Sequence, residues 1–144
     1  MRALALAAIL MVSLGLPLAQ AKDQEMDAKK NGQVEFVTPS GNIGCIYTPE
    51  GGTDVFEPLD GGPELSCDLV EPDYVNVFLG PSGEAESTWD PGEQACCGAG
   101  NVFEYDNELK LDGFICYSET TGLSCMSESG EHGFLMSKSH IVTY

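Results

Sequence analysis

The chain has 144 residues, with 23 acidic side chains against six basic ones and a formal net charge of −17. That imbalance excludes nucleic acid and anionic membrane surfaces as natural partners, because both would repel it. A cationic partner, calcium or plain solubility remain, and the length allows a single domain.

Residues 1–21 read as a secretory signal peptide: Arg2, an apolar run over residues 3–18, then Ala19-Gln20-Ala21 as a cleavage site. The run is shorter than the roughly 20 residues a membrane span needs, and Pro17 interrupts it. No later stretch is apolar enough to span, so no membrane insertion is expected after cleavage. The remaining chain carries five lysines and no arginine against all 23 carboxylates. Six cysteines in an exported chain of this size read as structural disulfides: Cys45, Cys67, Cys96, Cys97, Cys116 and Cys125. There is no C-x-x-C, and the histidines are not at ligand spacing, so no metal and no cofactor are expected.

Residues 22–33 are charged and nearly free of apolar side chains, which predicts a flexible leader. A β domain is expected over residues 34–144. Its first strands are residues 34–37 and 42–47, separated by the turn Pro39-Ser40-Gly41. Residues 48–64, dense in Gly, Pro and Asp, predict a long surface loop pinned by Phe56. Strands follow at residues 65–70, 74–79 and 84–88, with a turn at Trp89-Asp90-Pro91-Gly92. The vicinal Cys96-Cys97 precedes further strands at residues 102–105 and 109–111.

The stretch from Asp112 to Leu135 predicts a hairpin. Phe114, Cys116 and Ser118 share one face of its first arm, and Leu123, Cys125 and Ser127 share one face of the second. Thr120-Thr121-Gly122 forms the turn, with Gly122 expected in the left-handed conformation. Pairing Ser118 with Leu123 sets Cys116 opposite Cys125, close enough for a disulfide. Residues 134–144 add the last strands. No window has a helical period, so the expected fold is all-β, a small disulfide-stapled antiparallel sandwich or barrel.

With Cys116–Cys125 formed, three pairings of the other four cysteines remain. Cys45–Cys67 with a vicinal Cys96–Cys97 pair is preferred, and cross-links from the vicinal pair to Cys45 and Cys67 stay open. A vicinal pair switching between dithiol and strained disulfide is the one place where redox function is arguable.

Ser40-Gly41-Asn42-Ile43-Gly44-Cys45, Leu65-Ser66-Cys67-Asp68, the segment from Cys116 to Cys125 and His132-Gly133-Phe134-Leu135-Met136-Ser137 together carry a likeness. From about Phe36 onward the chain resembles an uncharacterised family of short secreted bacterial cysteine-containing domains. Their pattern is S-G-N-I-x-C near the start, x-C-D later, and a cysteine pair then G-H-G-F-x-L-S near the end. The resemblance implies a secreted, cysteine-stapled β domain and brings no activity or catalytic residue. Glu131 stands where the family has Gly, the family's cysteine near Tyr74 is missing, and Cys96 is extra.

Candidate sites are sparse. His132 would serve a hydrolase only with a hydroxyl partner such as Ser129, and no G-x-S-x-G elbow is present. Glu104, Asp106, Glu108 and Asp112 crowd together without a calcium-loop pattern and read as a solvated face. Trp89 would anchor a partner or a sugar if exposed, although packing under its turn is the more ordinary role. Trp89 and His132 are therefore the binding candidates. The reading is a secreted or periplasmic monomer, a non-catalytic binding or inhibitor-type module with an acidic surface that favours a basic secreted or envelope protein. Its rivals are a small secreted enzyme, either a hydrolase using His132 or a thiol redox protein using Cys96 and Cys97, and a structural envelope component.

Overall fold

The computed structural model describes residues 20–58, 60–92 and 100–144. The expected signal peptide lies almost wholly outside these residues, and so does the vicinal pair Cys96-Cys97. The described chain contains no helix. Its strands, in order, are β1 (Lys22–Asp23), β2 (Val34–Val37), β3 (Ile43–Thr48), β4 (Glu64–Leu69), β5 (Val75–Leu79) and β6 (Glu86–Trp89). They continue with β7 (Asn101–Val102), β8 (Asn107–Leu111), β9 (Phe114–Glu119), β10 (Gly122–Ser127), β11 (Gly133–Met136) and β12 (Ile141–Thr143).

Two six-stranded sheets result. The first runs β1-β8-β9-β10-β11-β12 and the second β6-β5-β4-β3-β2-β7, with each sheet open at both ends. The architecture is therefore a sandwich and not a closed barrel. All pairings are antiparallel except β1 with β8 and β2 with β7.

Strand alternation explains the packing. In β9 the buried set is Phe114, Cys116 and Ser118, and in β10 it is Leu123, Cys125 and Ser127. The register joins Ser118 to Leu123 and Cys116 to Cys125. The second sheet repeats the device, with Cys45 opposite Cys67 across β3 and β4. Both disulfides are formed, Cys45–Cys67 and Cys116–Cys125. The four cysteines of these two bonds are buried in one core with Phe36, Phe103, Phe114 and Phe134. Phe103 meets Phe36 edge to face at 5.5 Å, and Phe114 meets Tyr47 at 6.3 Å. Disulfides of this kind fit an oxidising, non-cytoplasmic compartment.

Two expectations are corrected here. The segment 22–33 is held against the domain by polar contacts instead of trailing from it. Gln24 donates from its backbone to Glu108 O (2.8 Å) and from its amide to Val102 O (2.6 Å). Its Oε1 accepts from Glu104 N and from the Asn107 amide. Met26 adds an apolar contact with the core.

The second correction is the extent of the turn, whereas the positive φ expected of Gly122 is kept. Thr120 and Thr121 alone make the loop, and Gly122 is already paired with Glu119 as the first residue of β10, at φ +155°. Its glycine identity answers a close approach: a Cβ there would collide with the Met136 carbonyl oxygen on the neighbouring strand. Gly122→Ala is expected to lower the melting temperature by several degrees, which thermal unfolding followed by circular dichroism would register.

Candidate functional site

The outer face of the second sheet carries a groove with aromatic walls. Inner positions of β3, β4 and β5 carry the core, so Ile46, Ser66, Asn76 and Phe78 emerge on the opposite side. Register sets Ser66 beside both Ile46 and Phe78, and Asn76 beside Thr88. The loop between β3 and β4 returns over this face. Phe56 does not reach the core, as the sequence suggested, but remains 44 % exposed at the rim. The result is a groove of about 390 Å³ with Phe56, Tyr74 and Phe78 as aromatic walls. Its polar lining includes Glu64, Ser66 and Asn76.

The floor of this groove rests on a buried polar network. Asp68 is 1 % exposed and lies just beneath it. It accepts from the Asn76 amide at 2.7 Å and from the Tyr74 hydroxyl at 3.2 Å. The Asn76 amide also reaches Ser66 Oγ at 3.1 Å. Asn76 itself is 5 % exposed, and its Oδ1 has no hydrogen-bond partner among the described residues. A buried acceptor without a donor is destabilising by about 1–3 kcal/mol, so its retention asks for a reason. The ion pairs among the described residues join Lys29 to Glu35 and Lys110 to Asp23 and Glu108, so no lysine serves Asp68 or Glu64.

Burial pushes the Glu64 carboxyl above its ordinary range, and the negative charge of Asp60 adds to the effect. The folded state therefore holds this proton at pH values where the unfolded chain has released it. Stability is greatest while Glu64 is protonated and falls as pH rises through that window. Glu64→Gln is expected to raise the melting temperature modestly at neutral pH and to lose that advantage below about pH 4, where both states are protonated. Thermal melts across a pH series would check this.

The residues singled out from sequence lie elsewhere. Trp89 is 59 % exposed, not packed under its turn. Alternation along β6 sends Thr88 into the groove and leaves Trp89 in a separate cleft with Pro72, Asp73 and His140. His132 precedes β11 and its Nδ1 is buried without a partner among the described residues. Ser129 bonds to Ser127 and not to His132. The backbone N–H of His132 donates to Ser127 Oγ at 3.4 Å, and an imidazole–serine hydrogen bond joins the adjacent Ser139 and His140 at 2.7 Å. Trp89 and His132 are thus on different sheets and form no common site.

In the acidic cluster, Glu108 accepts from Lys110 at 2.8 Å. The hydrogen bonds from Lys110 and from Tyr117 hold its carboxyl below the usual range. Among the described residues no group of three or more His, Cys, Asp or Glu side chains is placed to hold a metal ion. No helix among them is long and apolar enough to cross a membrane.

The groove has a faint trace in the sequence. Leu65-Ser66-Cys67-Asp68-Leu69 and Tyr74-Val75-Asn76-Val77-Phe78 alternate apolar with polar or aromatic residues, which marks a second face with its own chemistry. That this face lies under a returning loop is not visible there. Comparison of the chain with protein-family models, with curated proteins and with solved structures returned no match.

Proposed function

We propose that the protein is an exported, non-catalytic binding module, secreted or periplasmic, whose acidic surface recognises a basic protein partner. The observation that carries this reading is the groove on the second sheet, with exposed aromatic walls over acceptors that no cation within the described chain answers. Exposed aromatics on a rigid scaffold are the usual anchors of recognition. The net charge favours fast, salt-sensitive association with a cation-rich surface. Export rests on the signal-like first 21 residues, the disulfides and the resemblance to secreted cysteine-containing domains. A hydrolase working through His132, a redox protein working through Cys96 and Cys97, and a structural envelope component are the rivals.

Calorimetry with a cationic secreted protein such as a lysozyme tests the proposal. Saturable binding that weakens at least about 10-fold between about 50 and 300 mM NaCl is expected. Salt-independent binding, or a turnover abolished by His132→Ala or Cys96→Ser, would overturn it.

A further inference from the structure

We infer that the groove on the outer face of the second sheet is a pocket for an arginine or lysine side chain, presented by an extended basic segment of a partner protein. This deepens the binding-module reading and rests on it.

Three features converge on a cation. The walls Phe56 and Phe78 stay 44 % and 42 % exposed, and with Tyr74 they offer ring faces of the kind that attract ammonium and guanidinium groups. The polar lining mixes amides and hydroxyls with one carboxylate, Glu64, and carries no cationic side chain. Glu64 lies at the rim without an ion pair among the described residues, and Asn76, 95 % buried by its exposure of 5 %, contributes an amide whose Oδ1 lacks a donor. The charge is uncompensated: none of the lysines in the described chain lines the groove, and Asp68 beneath it is met by neutral donors. A flat-headed guanidinium suits the set best, since it stacks on an aromatic face while its fork of N–H groups reaches oxygen acceptors. A volume of about 390 Å³ leaves space for such a side chain with part of its backbone.

Glu64 lies half-buried in this groove beside Asp60. Burial raises the Glu64 carboxyl above its ordinary range, and a cation seated beside it would favour the ionised form, so binding is coupled to proton release.

Fluorescence anisotropy with a labelled tetra-arginine peptide tests the assignment on the intact disulfide-bonded protein, with thermal melts confirming that each variant is folded. Glu64→Gln and Phe78→Ala are each expected to weaken binding about 10-fold. The exposed Glu128→Gln and Glu131→Gln, at the β10–β11 turn of the other sheet, should change it less than about 2-fold. Equal weakening by both sets would mean diffuse charge attraction: the pocket is then wrong while the binding-module reading survives. Salt-independent binding of a neutral tetrasaccharide, lost in Phe78→Ala and kept in Glu64→Gln, would make the groove a sugar site and overturn the inference. Absence of saturable binding to tetra-arginine and to basic proteins alike would remove both readings.

Discussion

Replacing Cys45 and Cys67 with alanine is expected to destabilise the protein by about 3 kcal/mol, and removing Cys116 and Cys125 as well should leave it largely unfolded at 37 °C. The first bond spans 22 residues and the second nine. Closing loops of those lengths removes chain entropy worth about 3 and about 2.5 kcal/mol from the unfolded state. Their sum approaches the entire stability of many small domains, about 5–15 kcal/mol. Both bonds lie inside the core, where these four cysteines are fully buried, so the substitutions also leave small voids. Urea unfolding of the two double variants and of the quadruple variant measures this. A quadruple variant that unfolds within a few tenths molar of the parent would show that the sheets hold without their staples.

Phe103→Ala is expected to cost about 3–5 kcal/mol, the largest effect of any single truncation proposed here. Phe103 follows the short edge strand β7 and contributes no ladder of its own, yet it is fully buried between the sheets. It packs edge-on against Phe36, its N–H donates to Val37 O at 2.9 Å, and its carbonyl accepts from the buried Ser118 hydroxyl at 3.0 Å. It therefore ties the parallel edge of the second sheet to β9 in the first. Truncation would open a cavity and loosen both attachments. The same unfolding assay, with a drop in midpoint and an unchanged slope, is the expected result.

What was legible in the sequence is what depends on neighbours along the chain. Cys116 and Cys125 are nine residues apart, so alternation and one short loop were enough to set Ser118 against Leu123 and pair the sulfurs. Gly122 shows the limit: its positive φ was legible from local turn chemistry, but its close approach to Met136 on another strand was not. Segment 22–33 misled for a related reason. Its hydrophobic signal is Met26, and it is held instead by Gln24, whose partners lie some 80 residues away in sequence. Composition does not record which polar side chains will find backbone partners. Phe56 was expected to pin its loop and Trp89 was left between packing and an exposed anchor, because an isolated aromatic near a turn has no periodic context to place it; both are exposed. The groove was the least legible part, since it arises when the loop between β3 and β4 folds back over polar positions of three strands.

The account's central claim is that recognition is concentrated on the outer face of the second sheet. The most direct test is a ¹H–¹⁵N chemical-shift titration of the disulfide-bonded protein with tetra-arginine. The account predicts saturable shifts centred on Ile46, Glu64, Ser66, Asn76 and Phe78, with little change along β9 to β11. Shifts spread over the acidic edges of both sheets, or centred on the cleft beside Trp89, would contradict it.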